Sequence, residues 1–256
     1  MIRSQTAAKF HGGNEMFFMP VFDTILWVYL IAALAPAIYL MSYIYRQDTI
    51  EKEPAGLLWG CVGRGVLAAL LSIILETIGQ RILNVSQVDQ NTLVGVMILN
   101  FVVVGAVEEG TKYALMGKYT WNKYDFNCRF DGIVYAAFTS LGFAAFENIE
   151  YVFQYGLSVA LPRAFLSIPG HLGFSVIFGC FYGRARLAAN QGRRAKMYAE
   201  IIVGYLLAVL LHGTYDTCAT IQSSTSTLTF IGVVVILYII VFRLVKHESR
   251  TDEFID

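Results

Sequence analysis

The chain reads as an all-α polytopic membrane protein of about seven transmembrane helices, on three observations. Of its 256 residues 56% are hydrophobic and only 15% charged. Its mean hydropathy is +0.56. The sequence also divides into seven apolar stretches, each near the roughly 20 residues that a spanning helix needs. The alternating ten-residue pattern of barrel strands is absent, and long apolar runs satisfy their backbone groups in lipid only as helices.

Residues 1–15 are polar, carry Arg3, Lys9 and His11, and lack an apolar region of their own, so they read as an N-terminal leader. The first span covers about 16–45, with Pro36 as a point where it can bend. A polar hinge, 46–54, holds Asp48, Glu51 and Glu53 and opens the second span, about 55–79, which contains Arg64 and, near its far end, Glu76. The third covers about 92–116, and the fourth about 131–155. In the fifth, about 164–187, Ser167-Ile168-Pro169-Gly170-His171 puts a helix breaker and an imidazole into an apolar run, so irregular backbone is expected there. The sixth covers about 198–221 and the seventh about 228–245, after a Ser/Thr-rich turn. A single helical domain over 16–245, with a catalytic core at about 92–221, and a tail at 246–256 follow from this division.

Counted by alternating loops, 13 of the 19 Lys and Arg residues fall on one side and four on the other. The basic side is cytoplasmic by the positive-inside rule, which puts the N-terminus outside and the C-terminal tail in the cytoplasm. Formal charge is zero, and no nucleic-acid partner is expected. Cys61, Cys128, Cys180 and Cys218 are scattered without CxxC spacing and suggest neither a zinc knuckle nor a disulfide framework.

The third span is broken by Val107-Glu108-Glu109-Gly110-Thr111-Lys112. Each such charge costs roughly 2.5–3.5 kcal/mol at the centre of a membrane helix, so the default reading of the three together is a functional site. Glu147 and Glu150 in the fourth span, His171 in the fifth, and His212 with Asp216 in the sixth extend the pattern. At about 1.5 Å per residue, Glu147, His171 and His212 lie roughly 12–14 Å below one face, and Glu108 roughly 22 Å below it. The depths make Glu147, His171 and His212 the metal-ligand candidates, with Glu108 or Glu109 reaching them as a base. His212 and Asp216 are four residues apart and share a face, the arrangement by which a carboxylate fixes a ligating imidazole. Lys112 neutralises one glutamate and leaves its neighbour, about 100° round the helix, free to act. Two His and one or two Glu with an open position describe a catalytic zinc centre. Glu76 and Glu150 read as structural. No G-x-S-x-G elbow, P-loop or H-E-x-x-H helix occurs.

These motifs in order, Glu108-Glu109-x-x-Lys112, Phe146-Glu147-Asn148-x-x-Tyr151, Arg163 with Ser167-x-Pro169-Gly170-His171, and His212-x-x-x-Asp216, resemble those of the PrsW family of intramembrane proteases. They are more distantly similar to the CAAX-processing and bacteriocin-processing (CPBP) membrane proteases. The resemblance implies endopeptidase activity at a bacterial plasma membrane on a membrane-anchored, single-span substrate such as an anti-sigma factor, with membrane lipid as the other partner. It also implies a site that includes Glu108, Glu109, Glu147, His171 and His212. PrsW is grouped with the metalloproteases, whereas the CAAX relatives are argued to activate water through Glu and His without metal. The presence of Glu147 and His171 favours zinc. The alternative from another class is a proton- or ion-coupled transporter, against which the lack of an internal repeat counts.

Overall fold

The computed structural model describes residues 15–221 and 223–255, so residues 1–14 of the leader lie outside it. Among the described residues the secondary structure is helical, apart from connecting loops and one isolated bridge between Cys128 and Phe254, and seven helices or helix groups are long and apolar enough to cross a membrane. The first span is α1 (Glu15–Gln47), the second α2 (Ala55–Val85), and the fourth α5 (Asp131–Tyr155). The third is composite: α3 (Leu93–Ile98), a π-helical segment (Leu99–Gly105) and α4 (Ala106–Thr120). A 3₁₀ turn (Leu157–Val159) and α6 (Ala160–Phe165) lead into α7 (Ser167–Asn190), the fifth span. The last two are α8 (Arg194–Thr220) and α9 (Ser224–Arg250).

Local chemistry sets the ends. The Thr92 hydroxyl accepts from the Gly95 N–H and caps α3, Ser223 does the same for α9, and Gly156, at φ +83°, terminates α5. The irregular backbone expected at 167–171 is not found: those residues form the regular start of α7, where Pro169 is tolerated because its missing N–H lies in the first turn and has no intrahelical partner, and the break falls one residue earlier, at Leu166 between α6 and α7. Several helices run past their apolar bands. α2 continues six residues beyond 79, and α9 reaches Arg250 rather than stopping at 245, because polar side chains at helix ends extend toward water while the backbone stays helical.

The fourth span is the hub: 83% of its most apolar window is buried inside the protein, against 22% for the first, sixth and seventh spans. Close backbone approach makes this possible. A Cβ on Gly65 of α2 would stand 1.9 Å from the Thr139 carbonyl of α5, and one on Gly142 of α5 would stand 2.5 Å from the Val62 carbonyl. Small residues that let backbones touch are how helices associate where lipid removes the hydrophobic drive.

At the basic end of the bundle the tail is docked. Asp252 accepts from the Phe130 N–H at 2.8 Å, and Arg129 pairs with Glu248 at 3.3 Å and with Glu253 at 3.1 Å. The Ile255 N–H donates to the Asn127 carbonyl at 2.8 Å. Beside them lie Asp48, fully buried with both carboxylate oxygens unpartnered, and Glu53, which accepts from the Tyr135 hydroxyl at 2.9 Å. All four cysteines are free thiols.

Gly65→Ala is expected to destabilise the α2–α5 pairing by roughly 1–3 kcal/mol through overpacking, read as a lower thermal midpoint in detergent. Burial, together with the charges of Asp252 and Glu51 and against that of Lys52, pushes the Asp48 carboxyl up to about 6 from its ordinary 3.8. The unfolded chain therefore releases this proton first, and stability from this group falls as pH rises from about 4 to about 6. Asp48→Asn flattens that slope and raises the midpoint at neutral pH, which a pH series of melting curves measures.

Candidate active site

The glutamates of α4 and the polar residues of α5, α7 and α8 meet around one buried cation. Lys112 Nζ lies 2.6 Å from Glu109 Oε1 and 3.5 Å from Glu108 Oε2, and contacts His171 Nδ1 at 3.3 Å. It also sits 4.3 Å from the centre of the Phe143 ring. Lys112 and Glu109 are fully buried. A buried ammonium in lipid needs such compensation, since an unpaired one costs several kcal/mol.

The two histidines are held alike. His171 directs Nε2 to Glu147 Oε2 at 3.0 Å and turns Nδ1 to Lys112. His212 directs Nε2 to Asp216 Oδ2 at 3.2 Å and turns Nδ1 to Glu109 Oε1 at 2.8 Å. In each case a carboxylate holds one ring nitrogen and the other faces the centre, the pattern of imidazoles oriented for a metal. Lys112 can only donate, so His171 accepts at Nδ1 and donates from Nε2. His212 has carboxylate oxygens at both nitrogens, and only a ring that donates from both completes both bonds. Phe174 stacks on His212 with centroids 4.8 Å apart and fixes the ring plane.

Glu147 is positioned by a relay that explains its motif. The Asn148 side-chain amide donates to the Ala33 carbonyl of α1 at 2.7 Å, tying α5 to the first span. Its oxygen accepts from Arg163 Nε at 2.8 Å, and Arg163 pairs with Glu147 Oε2 at 2.9 Å while its guanidinium stacks 3.9 Å from the Tyr151 ring. Asn148, Tyr151 and Arg163 thus act together to hold the carboxylate that orients His171.

The structure brings Glu108, Glu109, Lys112, Glu147, His171, His212 and Asp216 into one site, and sharpens three of the expectations. First, the depth gap between Glu108 and the histidines disappears: Glu108 Oε2 is 3.8 Å from His212 Nε2. Helix ends are not coplanar, and α7 begins after a separate short helix, so its first residue does not mark a membrane face. Second, the pairing within the motif is resolved. Lys112 is nearest Glu109, three residues away, and Glu109 also carries His212; Glu108, four residues away and less engaged, lines the cavity. Third, the group whose donor atoms all lie within 4.8 Å of one another is Glu108, Glu109, His171 and His212; Glu147, expected as a ligand, is occupied by Arg163 and the outer nitrogen of His171.

That group suits a zinc ion by its donor chemistry, two imidazoles and two carboxylates. Glu109 Oε2 is buried and completes no hydrogen bond, and the nearby Tyr113 hydroxyl is in the same condition, so acceptor capacity is left at the centre. The site opens onto a cavity of about 1270 Å³, walled by α2 and by every span from the third to the seventh.

Sequence reasoning missed Asn100, which lines the cavity from the π-helical segment and donates weakly to Thr217 and Thr220 of α8 at 3.4 Å each. The signal was available: it is the lone amide in the apolar run before the glutamates. Glu76, read as structural, also lines the cavity, as does the exposed Glu150.

Comparison with known proteins agrees with this assembly. Residues 53–245 match the family model described as "PrsW family intramembrane metalloprotease". The chain is 32% identical over 223 residues to Protease PrsW of Oceanobacillus iheyensis, covering 87% of this chain and 97% of that one. It is 31% identical over 193 residues to Protease PrsW of Bacillus subtilis, covering 75% and 83%, and 31% identical over 185 residues to that of Geobacillus kaustophilus, covering 72% and 76%. No solved structure matches. With its seven spans and its buried Glu, His and Lys centre, the chain belongs to the PrsW family of intramembrane proteases and is a multi-pass bacterial membrane protein.

Proposed function

We propose that the protein is a zinc-dependent endopeptidase that hydrolyses a peptide bond of a single-span membrane protein, an anti-sigma factor being the substrate its family resemblance implies. The observation that carries the metal-dependent reading is the matched presentation of two imidazoles, each with a carboxylate on Nε2 and with Nδ1 turned to the Lys112–Glu109 pair, His171 to Lys112 and His212 to Glu109. In this reading His171, His212 and Glu109 would hold the ion, His212 giving up its Nδ1 proton to do so, and Glu147 and Asp216 keep the rings in place. Zinc so held supplies a Lewis acid that brings the pKa of a bound water to about 7.

The chain's own residues supply the rest. Glu108, facing the cavity, is the general base: it takes a proton from the attacking water as the new C–O bond forms, and returns it to the amide nitrogen as the C–N bond breaks. Lys112 keeps Glu109 anionic at its centre. With the basic end of the bundle cytoplasmic, the cut falls in the outer half of the bilayer, where His171, Glu147 and Asp216 approach the ends of their helices.

One observation favours a second reading, the metal-independent glutamic mechanism. The Lys112 ammonium lies among the would-be ligands at 2.6 Å from Glu109 and 3.3 Å from His171, where it already neutralises charge. Glu108 again activates water, and His212, steadied by Asp216, stabilises the oxyanion.

Purified protein reconstituted with a single-span reporter separates the two. The metal reading expects near-stoichiometric zinc, loss of cleavage on treatment with o-phenanthroline, and loss of zinc in His171→Ala and His212→Ala. Glu108→Gln should keep its zinc and lose about 10²–10⁴-fold in cleavage rate. Full cleavage after exhaustive chelation overturns the metal reading and leaves the glutamic one. Arg163→Ala, which frees Glu147, should lower activity by about 10–100-fold, the usual cost of losing an outer partner. Assaying Arg163→Lys beside it tests whether charge alone restores the carboxylate.

A further inference from the structure

Glu76 of α2 lies outside the four motifs that carry the family resemblance, yet its surroundings are those of a binding residue. Four residues before it, the Ser72 hydroxyl is hydrogen-bonded to that of Thr111 at 2.8 Å. Three residues after it, Gly79 is packed so closely that a Cβ there would meet Val103 at 2.7 Å. Those two contacts fix the face of α2 that looks at the third span, and Glu76 is on it. The opposite face, with Ile74 and Ile78 more than half or half exposed, is the one left to lipid. Glu76 is therefore aimed into the cavity, which it lines.

Among the described residues it has no ion-pair or hydrogen-bond partner there, and its Oε1 is buried. Among the described residues the two cations at the site are already taken: Lys112 is committed to Glu109 and Glu108, and Arg163 to Glu147 and Asn148. Nor is Glu76 within the 4.8 Å donor group that suits a metal. Five carboxylates line the cavity (Glu76, Glu108, Glu147, Glu150 and Asp216) against the Arg163 guanidinium and the His212 ring, which are taken up by Glu147 and Asp216. A cavity with that excess attracts cations, and a half-buried carboxylate with no partner of its own is free to pair with one.

We infer that Glu76 forms a cationic subsite: it pairs with a lysine or arginine side chain of the substrate close to the scissile bond and makes the protein selective for substrates that carry one. This rests on the protease reading and adds a substrate class to it. The test is a single-span reporter in which each position within about five residues of the cut is set in turn to Lys, Gln or Glu. At one position at least, the wild-type protein should favour Lys over Gln by about tenfold or more in kcat/KM. Glu76→Gln should bring that ratio toward one, and Glu76→Lys should shift the preference to Glu at the same position. Cleavage by the wild type with no preference for Lys at any position overturns the inference without needing any variant, as does a ratio unchanged in Glu76→Gln. Failure of the wild type to cut any reporter removes the protease reading and the subsite together, so the two failures are told apart.

Discussion

The structure depends on one buried ammonium. Lys112 has no exposure to solvent and sits at a depth where an isolated charge is strongly disfavoured. It is tolerated because Glu109 and Glu108 of its own helix, His171 of α7 and the Phe143 ring of α5 all close on it. Each of these groups gains from the arrangement in turn: Glu109 is kept as an anion that can hold His212, and His171 is forced to accept at Nδ1 and so to donate toward Glu147. Removing any member leaves a charge or a strong acceptor uncompensated in a low dielectric. The network therefore specifies the relative placement of four helices as well as the chemistry at their meeting point.

Packing makes that network reachable. α5 can stand at the centre because its neighbours approach it backbone to backbone. On the α7 side, a Cβ on Gly132 would lie 2.6 Å from the Gly179 carbonyl, as one on Gly65 would lie 1.9 Å from Thr139 on the α2 side. With α5 so tightly held, Glu147 is delivered to His171 on a rigid support, and the relay from Ala33 through Asn148 and Arg163 ties it to α1 as well. Precision at the site is inherited from helices that have little room to move.

Much of this could be read from the residues alone, for physical reasons. Charges in apolar runs are conspicuous, which is why Glu108, Glu109, Lys112, His171 and His212 stood out, and the four-residue spacing of His212 and Asp216 fixed their common face. Which glutamate Lys112 would choose was not legible. Positions three and four residues away are both within reach of a lysine, and the choice was made by His212 of another helix. The role of Glu147 was not legible either. A carboxylate and an imidazole at matching depth look the same whether the carboxylate binds a metal or orients the ring, and only the position of Arg163 separates the two. Glu76 was passed over because a single carboxylate near the end of an apolar run is usually solvated; it is half-buried, with Oε1 out of reach of solvent, because the third span packs beside it.

The π-helical stretch Leu99–Gly105 has a consequence for how the family's chains can diverge. A turn closed by i→i+5 bonds accommodates one more residue than an α-turn, so the stretch works as a phase shifter between the two halves of the third span. Deleting a single residue within it would restore α-geometry locally and leave the helices on either side facing as they do, whereas deleting one from the α-helical turns around it would rotate one half of the span by about 100° relative to the other. A one-residue length change is thus absorbed within this stretch and becomes a rotation of half a wall anywhere else in the span, so insertions or deletions in the span should be tolerated only where they preserve that phase.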